Sequence, residues 1–109
     1  MKMIMAIVNS DDANAVVQNL MKAHFSVTRL SSSGGFLRAG NTTLLIGVEE
    51  DRFQQAMDII EHVCKSRKQI APAQSSMVGM PSSYATYPIE VVVGGATVFV
   101  LTVDQFVKL

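Results

Sequence analysis

At 109 residues and 11.8 kDa the chain has the length of one domain, since typical domains run to about 100–150 residues. Hydrophobic residues make up 49% and charged residues only 17%, below the usual charged share of about 25%, so part of the surface is expected to lie against partner subunits. Nine basic residues cancel nine acidic ones, which argues against nucleic acid or an anionic membrane as partner, and a single cysteine excludes an internal disulfide or a cysteine zinc cluster.

The segment from Met1 to Asp12 has an apolar run but no small-residue cleavage site. No stretch approaches the roughly 20 apolar residues that span a bilayer, so a cytoplasmic location is expected. Met1 to Val8, apolar apart from Lys2, predicts a central strand covered on both faces. Asn9, Ser10, Asp11 and Asp12 supply oxygens for a helix start. Ala13, Val16, Val17, Leu20 and Met21 then follow the amphipathic period of a helix ending near His24.

Phe25 to Leu30 alternates as a strand, and Thr42 to Val48 forms a second one after the glycine-rich interruption. Glu49, Glu50 and Asp51 favour the positive end of a second helix. Its apolar stripe is Phe53, Ala56, Met57, Ile60, Val63 and Cys64, with Lys65, Arg67 and Lys68 at its other end. Cys64 lies on that stripe, so a buried, inert thiol is expected.

Ser66 to Tyr87 shows neither period and reads as one long flexible loop inside a single domain spanning residues 1–109. Ile89–Val93 and Ala96–Val103 flank Gly94-Gly95 and read as a hairpin with a primed turn. The order gives an α+β fold, a ferredoxin-like βαββαβ sandwich. The final strand is an additional C-terminal element whose open edge is expected to pair with a neighbouring subunit.

Catalytic readings find little support. His24 and His62 share no metal-ligand spacing with each other or with Cys64. The acids at Asp11-Asp12 and Glu49–Asp51 are explained by helix capping, and Ser31 to Ser33 lack a nucleophile-elbow context. No metal site and no enzyme activity is expected.

The unusual segment is SSSGGFLRAGNTT, Ser31 to Thr43. Gly34-Gly35 permits close backbone approach, so consecutive N–H groups can form an anion nest. Asn41 offers a donor and an acceptor, Phe36 and Leu37 can cover an aromatic ring, and Arg29 and Arg38 are nearby cations. The plainer reading is a glycine-rich hairpin loop with one aromatic anchor. It matches neither the dinucleotide fingerprint nor the P-loop.

Several strings of this chain closely resemble the PstA family, also called DarA, the PII-like cyclic di-AMP receptors of Gram-positive bacteria. They are Met1-Lys2-Met3-Ile4, GGFLRAGNTT from Gly34, Tyr87-Pro88-Ile89-Glu90-Val91, GGATVFVL from Gly94, and Val103-Asp104-Gln105-Phe106. The resemblance runs nearly end to end. It implies a PII-like homotrimer that binds cyclic di-AMP at clefts between subunits and catalyses nothing. It also implies ligand contacts at Thr28, Gly35, Phe36, Leu37, Asn41 and Gly47, with His24, Arg38 and Phe99 as further candidates. The loop after the second helix would report ligand state to a downstream protein whose identity the sequence does not give.

The chain departs from the family pattern at informative places. His24 and Ser26 stand where most members have asparagine and a ligand-contacting arginine, so Ser26 is a site position with altered chemistry. Thr102 stands where a proline is usual, and the long loop reads Met77-Val78-Gly79-Met80-Pro81-Ser82-Ser83-Tyr84 in place of an Asn-Ala-Asp-Ser-Tyr-like run. Two other readings stay open: a divergent sensor of the same fold that binds another nucleotide such as ATP, and a protein-interaction module without a small ligand.

Overall fold

The computed structural model describes residues 1–30, 40–72 and 88–109. Strand β1 (Lys2–Asn9) leads into helix α1 (Ser10–Lys22), then β2 (Val27–Leu30) and β3 (Asn41–Val48). A single 3-10 turn, Glu50–Arg52, opens helix α2 (Phe53–Cys64), and β4 (Arg67–Pro72), β5 (Pro88–Val93) and β6 (Ala96–Thr102) follow. The main sheet is antiparallel in the order β2-β3-β1-β6, and both helices cover one face. β1, α1, β2, β3, α2 and β6 are therefore the six elements of a ferredoxin-like sandwich.

Register and burial agree on which face is which. Ile4 pairs with Ile46 and Val100, and Ala6 with Leu44 and Val98. Ile4, Ala6, Val8, Leu44, Ile46 and Val48 are buried beneath Ala13, Val16 and Leu20 of α1 and Ala56, Ile60 and Cys64 of α2. Full burial of side chains such as Leu20, Leu44 or Ile60 contributes roughly 1.5–3 kcal/mol each.

β1 is central, as expected, but within one chain only its even-numbered residues are sealed. Met3, Met5 and Ile7 on the other face remain half-buried. Met21, expected on the buried stripe of α1, is exposed instead. It lies at the stripe's margin in the last turn of the helix.

Asn9 caps α1, its side chain accepting the Asp11 backbone N–H at 2.9 Å. Asp12 is not a cap. It is only 7% exposed, and its Oδ1 accepts from Arg67 Nη2 at 2.9 Å. The acids before α2 make no side-chain cap bond either, and Glu50 instead lies 3.6 Å from the N-terminal ammonium group.

The additional strands fall elsewhere than expected. β6 fills the outer place beside β1, and the extra pair is a separate antiparallel ribbon of β4 and β5, with Arg67 opposite Val93 and Pro72 opposite Pro88. Residues 67–72, read from sequence as the start of the long loop, are thus a strand, while 73–87 lie outside the described residues. The hairpin expected around Gly94-Gly95 does not form, because β5 pairs with β4 and β6 with β1.

Those glycines instead make the junction between the two sheets. Gly94 has φ +82°, and a Cβ there would lie 2.6 Å from Arg67 Nη1 and 3.0 Å from the Lys65 carbonyl oxygen. Gly95 donates its N–H to the Cys64 carbonyl. Only glycine fits such a crowded, left-handed turn.

Cys64 is 2% exposed. Burial pushes its thiol up to about 11, with the Asp12 carboxylate adding to the shift and Arg67 opposing it. Iodoacetamide at pH 8 should leave Cys64 unmodified in the native chain and label it fully after unfolding. Native labelling at the rate of a free thiol would contradict this burial. Because the folded state holds the thiol proton more tightly, the stability from this group is complete below the ordinary thiol pKa. It is lost as pH rises through about 11.

Candidate functional site

The sheet face turned away from the helices carries the residues of interest. Thr28 pairs with Leu45, Leu45 with Met5, and Met5 with Phe99, so these four side chains form one row across that face. Gly47, Met3 and Leu101 form the next. Phe99, Leu101 and Leu30 are exposed apolar side chains in a single chain, and together with Met3, Met5 and Leu45 they leave a broad apolar surface of the kind that marks an interaction site.

At one end of this face is a cleft of about 370 Å³, with Ser26, Thr28 and Gly47 on its walls beside Met1, Met3 and Leu45. Val103 and Phe106, from the segment after β6, complete it. Ser26, Thr28 and Gly47, all named through the family resemblance, are thus brought together. Gly47 has no positive φ, and a Cβ built on it would meet nothing within 4 Å. Neither backbone conformation nor packing inside the chain requires glycine at this position, where it weakens a strand.

His24 and Ser26 also line a smaller adjoining hollow of about 130 Å³ with Arg52 and Gly47. His24 ends α1 in the left-handed region, φ +67°, while its N–H and that of Phe25 return to the carbonyls of Met21 and Leu20. Asparagine and histidine are among the few residues enriched in that conformation. Histidine therefore meets the same backbone requirement as the asparagine that the resemblance implies here.

Ser26 carries no charge where the resemblance implies an arginine, and Arg29 does not supply one. Arg29 lies on the helix face and donates to Asn14 Oδ1 at 2.9 Å, as strand alternation predicts. A side-chain cation beside Ser26 is Arg52. Its guanidinium donates to the Ala23 carbonyl and stacks 4.0 Å above the Phe25 ring.

Asn41 is not part of this cleft. It sits at the opposite end of β3, six residues from Gly47 and so roughly 20 Å away at about 3.4 Å per residue. There it lines a second, more polar cleft of about 250 Å³ with Asn9, Thr97 and Gly94-Gly95. Phe99 lies on the same face as Thr28 but three strands away, beside Met5. Gly35, Phe36, Leu37 and Arg38 lie outside the described residues.

Arg52 and Phe106 were not legible as site residues. Arg52 reads as part of a charged helix start, and Phe106 follows the last periodic strand. Another hollow, about 470 Å³, lies between the outer faces of the helices, lined by Asn19, Asp58, Ile59 and the exposed His62. It contains none of the sequence-derived site residues. No cluster of three or more metal-ligating side chains occurs among the described residues.

The cyclic-di-AMP receptor family matches the chain over residues 1–109. The chain belongs to the cyclic-di-AMP receptor family. A crystal structure of a protein from Pediococcus pentosaceus, described as functionally unknown, is similar to this family member at 38% identity and a TM-score of 0.77. The match covers 99% of this chain and 96% of that one. As a member of a receptor family, the chain is placed among ligand-binding signalling proteins. No described helix of this receptor-family chain is long and apolar enough to cross a membrane.

Proposed function

We propose that the chain is a non-enzymatic, cytoplasmic signalling receptor that binds cyclic di-AMP at clefts between the subunits of a homotrimer. The observation that carries this reading is Gly47, a glycine in a central strand with open space above it, flanked by the hydroxyls of Ser26 and Thr28. A ligand lying against the backbone accounts for it, and the family supplies the ligand.

The separation of Asn41 from Thr28 along the sheet supports an interfacial site, since a second copy is needed to bring both ends of β3 to one nucleotide. The exposed apolar sheet face supports the same assembly. Its burial contributes about 25 cal/mol per Å² of apolar area, and light scattering should return three times the chain mass. Within such a site the loop N–H groups of Gly35, Phe36 and Leu37, the side chains of Ser26, Thr28 and Asn41, and the floor at Gly47 contact the nucleotide. Arg38 and Phe99 contribute from the margins. Residues 66–87 carry the ligand state to a downstream protein.

One observation favours a second reading, a divergent sensor for another nucleotide such as ATP: the arginine position is Ser26, and Arg29 faces away. Isothermal titration of the parent, Ser26→Arg and Asn41→Ala separates the two. A charge-assisted bond to phosphate contributes roughly 1.5–3 kcal/mol against about 1 for a neutral hydroxyl. Ser26→Arg should therefore tighten cyclic di-AMP binding several-fold to tenfold, and Asn41→Ala should weaken it. A parent that binds ATP but not cyclic di-AMP, with no gain from Ser26→Arg, supports the divergent sensor.

A further inference from the structure

Building on the receptor reading, we infer that Phe106 covers the face of one purine ring of the bound nucleotide. Val103 donates its N–H to the Met1 carbonyl at 3.1 Å. This pins the chain just beyond β6 and sends residues 104–109 past the open end of the sheet. Phe106 then lines the same cleft as Ser26, Thr28 and Gly47, yet it is 65% exposed. Phe106 thus offers an exposed phenyl ring in a cleft that also holds a strand position without a side chain.

Met1 also lines the cleft, its ammonium group 3.6 Å from Glu50, and the remaining lining suits a base. Met3, Leu45 and Val103 are apolar, while the hydroxyls of Ser26 and Thr28 suit a polar ring edge. Phe99 cannot take this role from the same chain. It stands three strands from Thr28, roughly 14 Å at about 4.8 Å per strand. Phe25 lies buried beneath Arg52. Among the described residues, Phe106 is the aromatic side chain of this cleft.

Stacking of a base on an aromatic side chain, measured by alanine substitution, corresponds to a roughly 5- to 150-fold change in affinity. Phe106→Ala should therefore bind cyclic di-AMP weaker by that factor in calorimetry, with its ligand-free melting temperature unchanged. Phe106→Tyr should stay close to the parent. The chain contains no tryptophan, so Phe106→Trp installs a sole indole at the cleft. Its emission should be quenched saturably by cyclic di-AMP, with the midpoint found by calorimetry. Parent-like binding by Phe106→Ala, or calorimetric saturation of Phe106→Trp without any change in emission, overturns the assignment and leaves the receptor reading intact. Absence of cyclic di-AMP binding by the parent overturns both.

Discussion

Gly47→Val should produce a chain at least as stable as the parent that binds cyclic di-AMP between roughly tenfold and a hundredfold more weakly. The two effects have different origins. Glycine in a strand interior costs roughly 0.5–1 kcal/mol relative to alanine, and a β-branched side chain suits a pleated strand. A Cβ at position 47 meets nothing within 4 Å, so the unligated fold has no objection to it. The nucleotide does, because the isopropyl group occupies the space through which a ring approaches the strand. Overpacking typically costs about 1–3 kcal/mol, and about 1.4 kcal/mol is tenfold in affinity. Thermal melts without ligand and calorimetry with it read the two effects separately. Parent-like binding by Gly47→Val would mean that no ligand rests on this strand. A lowered melting temperature would mean that the space above it is already used by the assembled protein.

Arg67→Ala should cause a large loss of stability, lowering the melting temperature by roughly 5–10 °C. The guanidinium donates to Asp12 on α1 and to the Lys65 carbonyl just after α2, and it packs against the turn at Gly94. The hydrogen bond and charge of Asp12 hold its proton more tightly than usual. One side chain thereby joins the start of α1, the end of α2 and the root of the β4–β5 ribbon. Its removal strands a buried carboxylate whose other oxygen, Oδ2, has no hydrogen-bond partner among the described residues. Arg67→Lys restores the charge without the fork of donors, so it should recover only part of the loss. Melting curves of the two variants check this, and an unchanged midpoint for Arg67→Ala would show that the pair contributes nothing to the fold.

The elements most legible in the sequence were those whose periodicity their own burial enforces. The stripe Ala13, Val16, Leu20 and the stripe Ala56, Ile60, Cys64 are buried as their spacing predicts, and β3 begins within one residue of its expected start. β4 was hidden because Arg67 to Pro72 shows no alternation and ends in proline. Its strand character comes from pairing with β5, a tertiary effect that local propensity does not carry. Gly94-Gly95 between two β-branched runs has the sequence of a hairpin, and only the docking of β6 on β1 and the crowding by Arg67 make it a junction. Asp12 looked like a cap because acids at helix starts usually are; its partner stands 55 residues away. Ser26, Thr28 and Gly47 were found through family resemblance, and the fold gathers them at one cleft. Phe106 joins them from beyond the last strand, where no periodic signal points to it.

Calorimetric titration of the parent chain with cyclic di-AMP addresses the proposed function most directly. A nucleotide held at each interface of a homotrimer predicts saturable binding at one molecule per chain, strengthened by Ser26→Arg. No detectable binding at high micromolar nucleotide, in the parent and in Ser26→Arg alike, would contradict a cyclic di-AMP receptor.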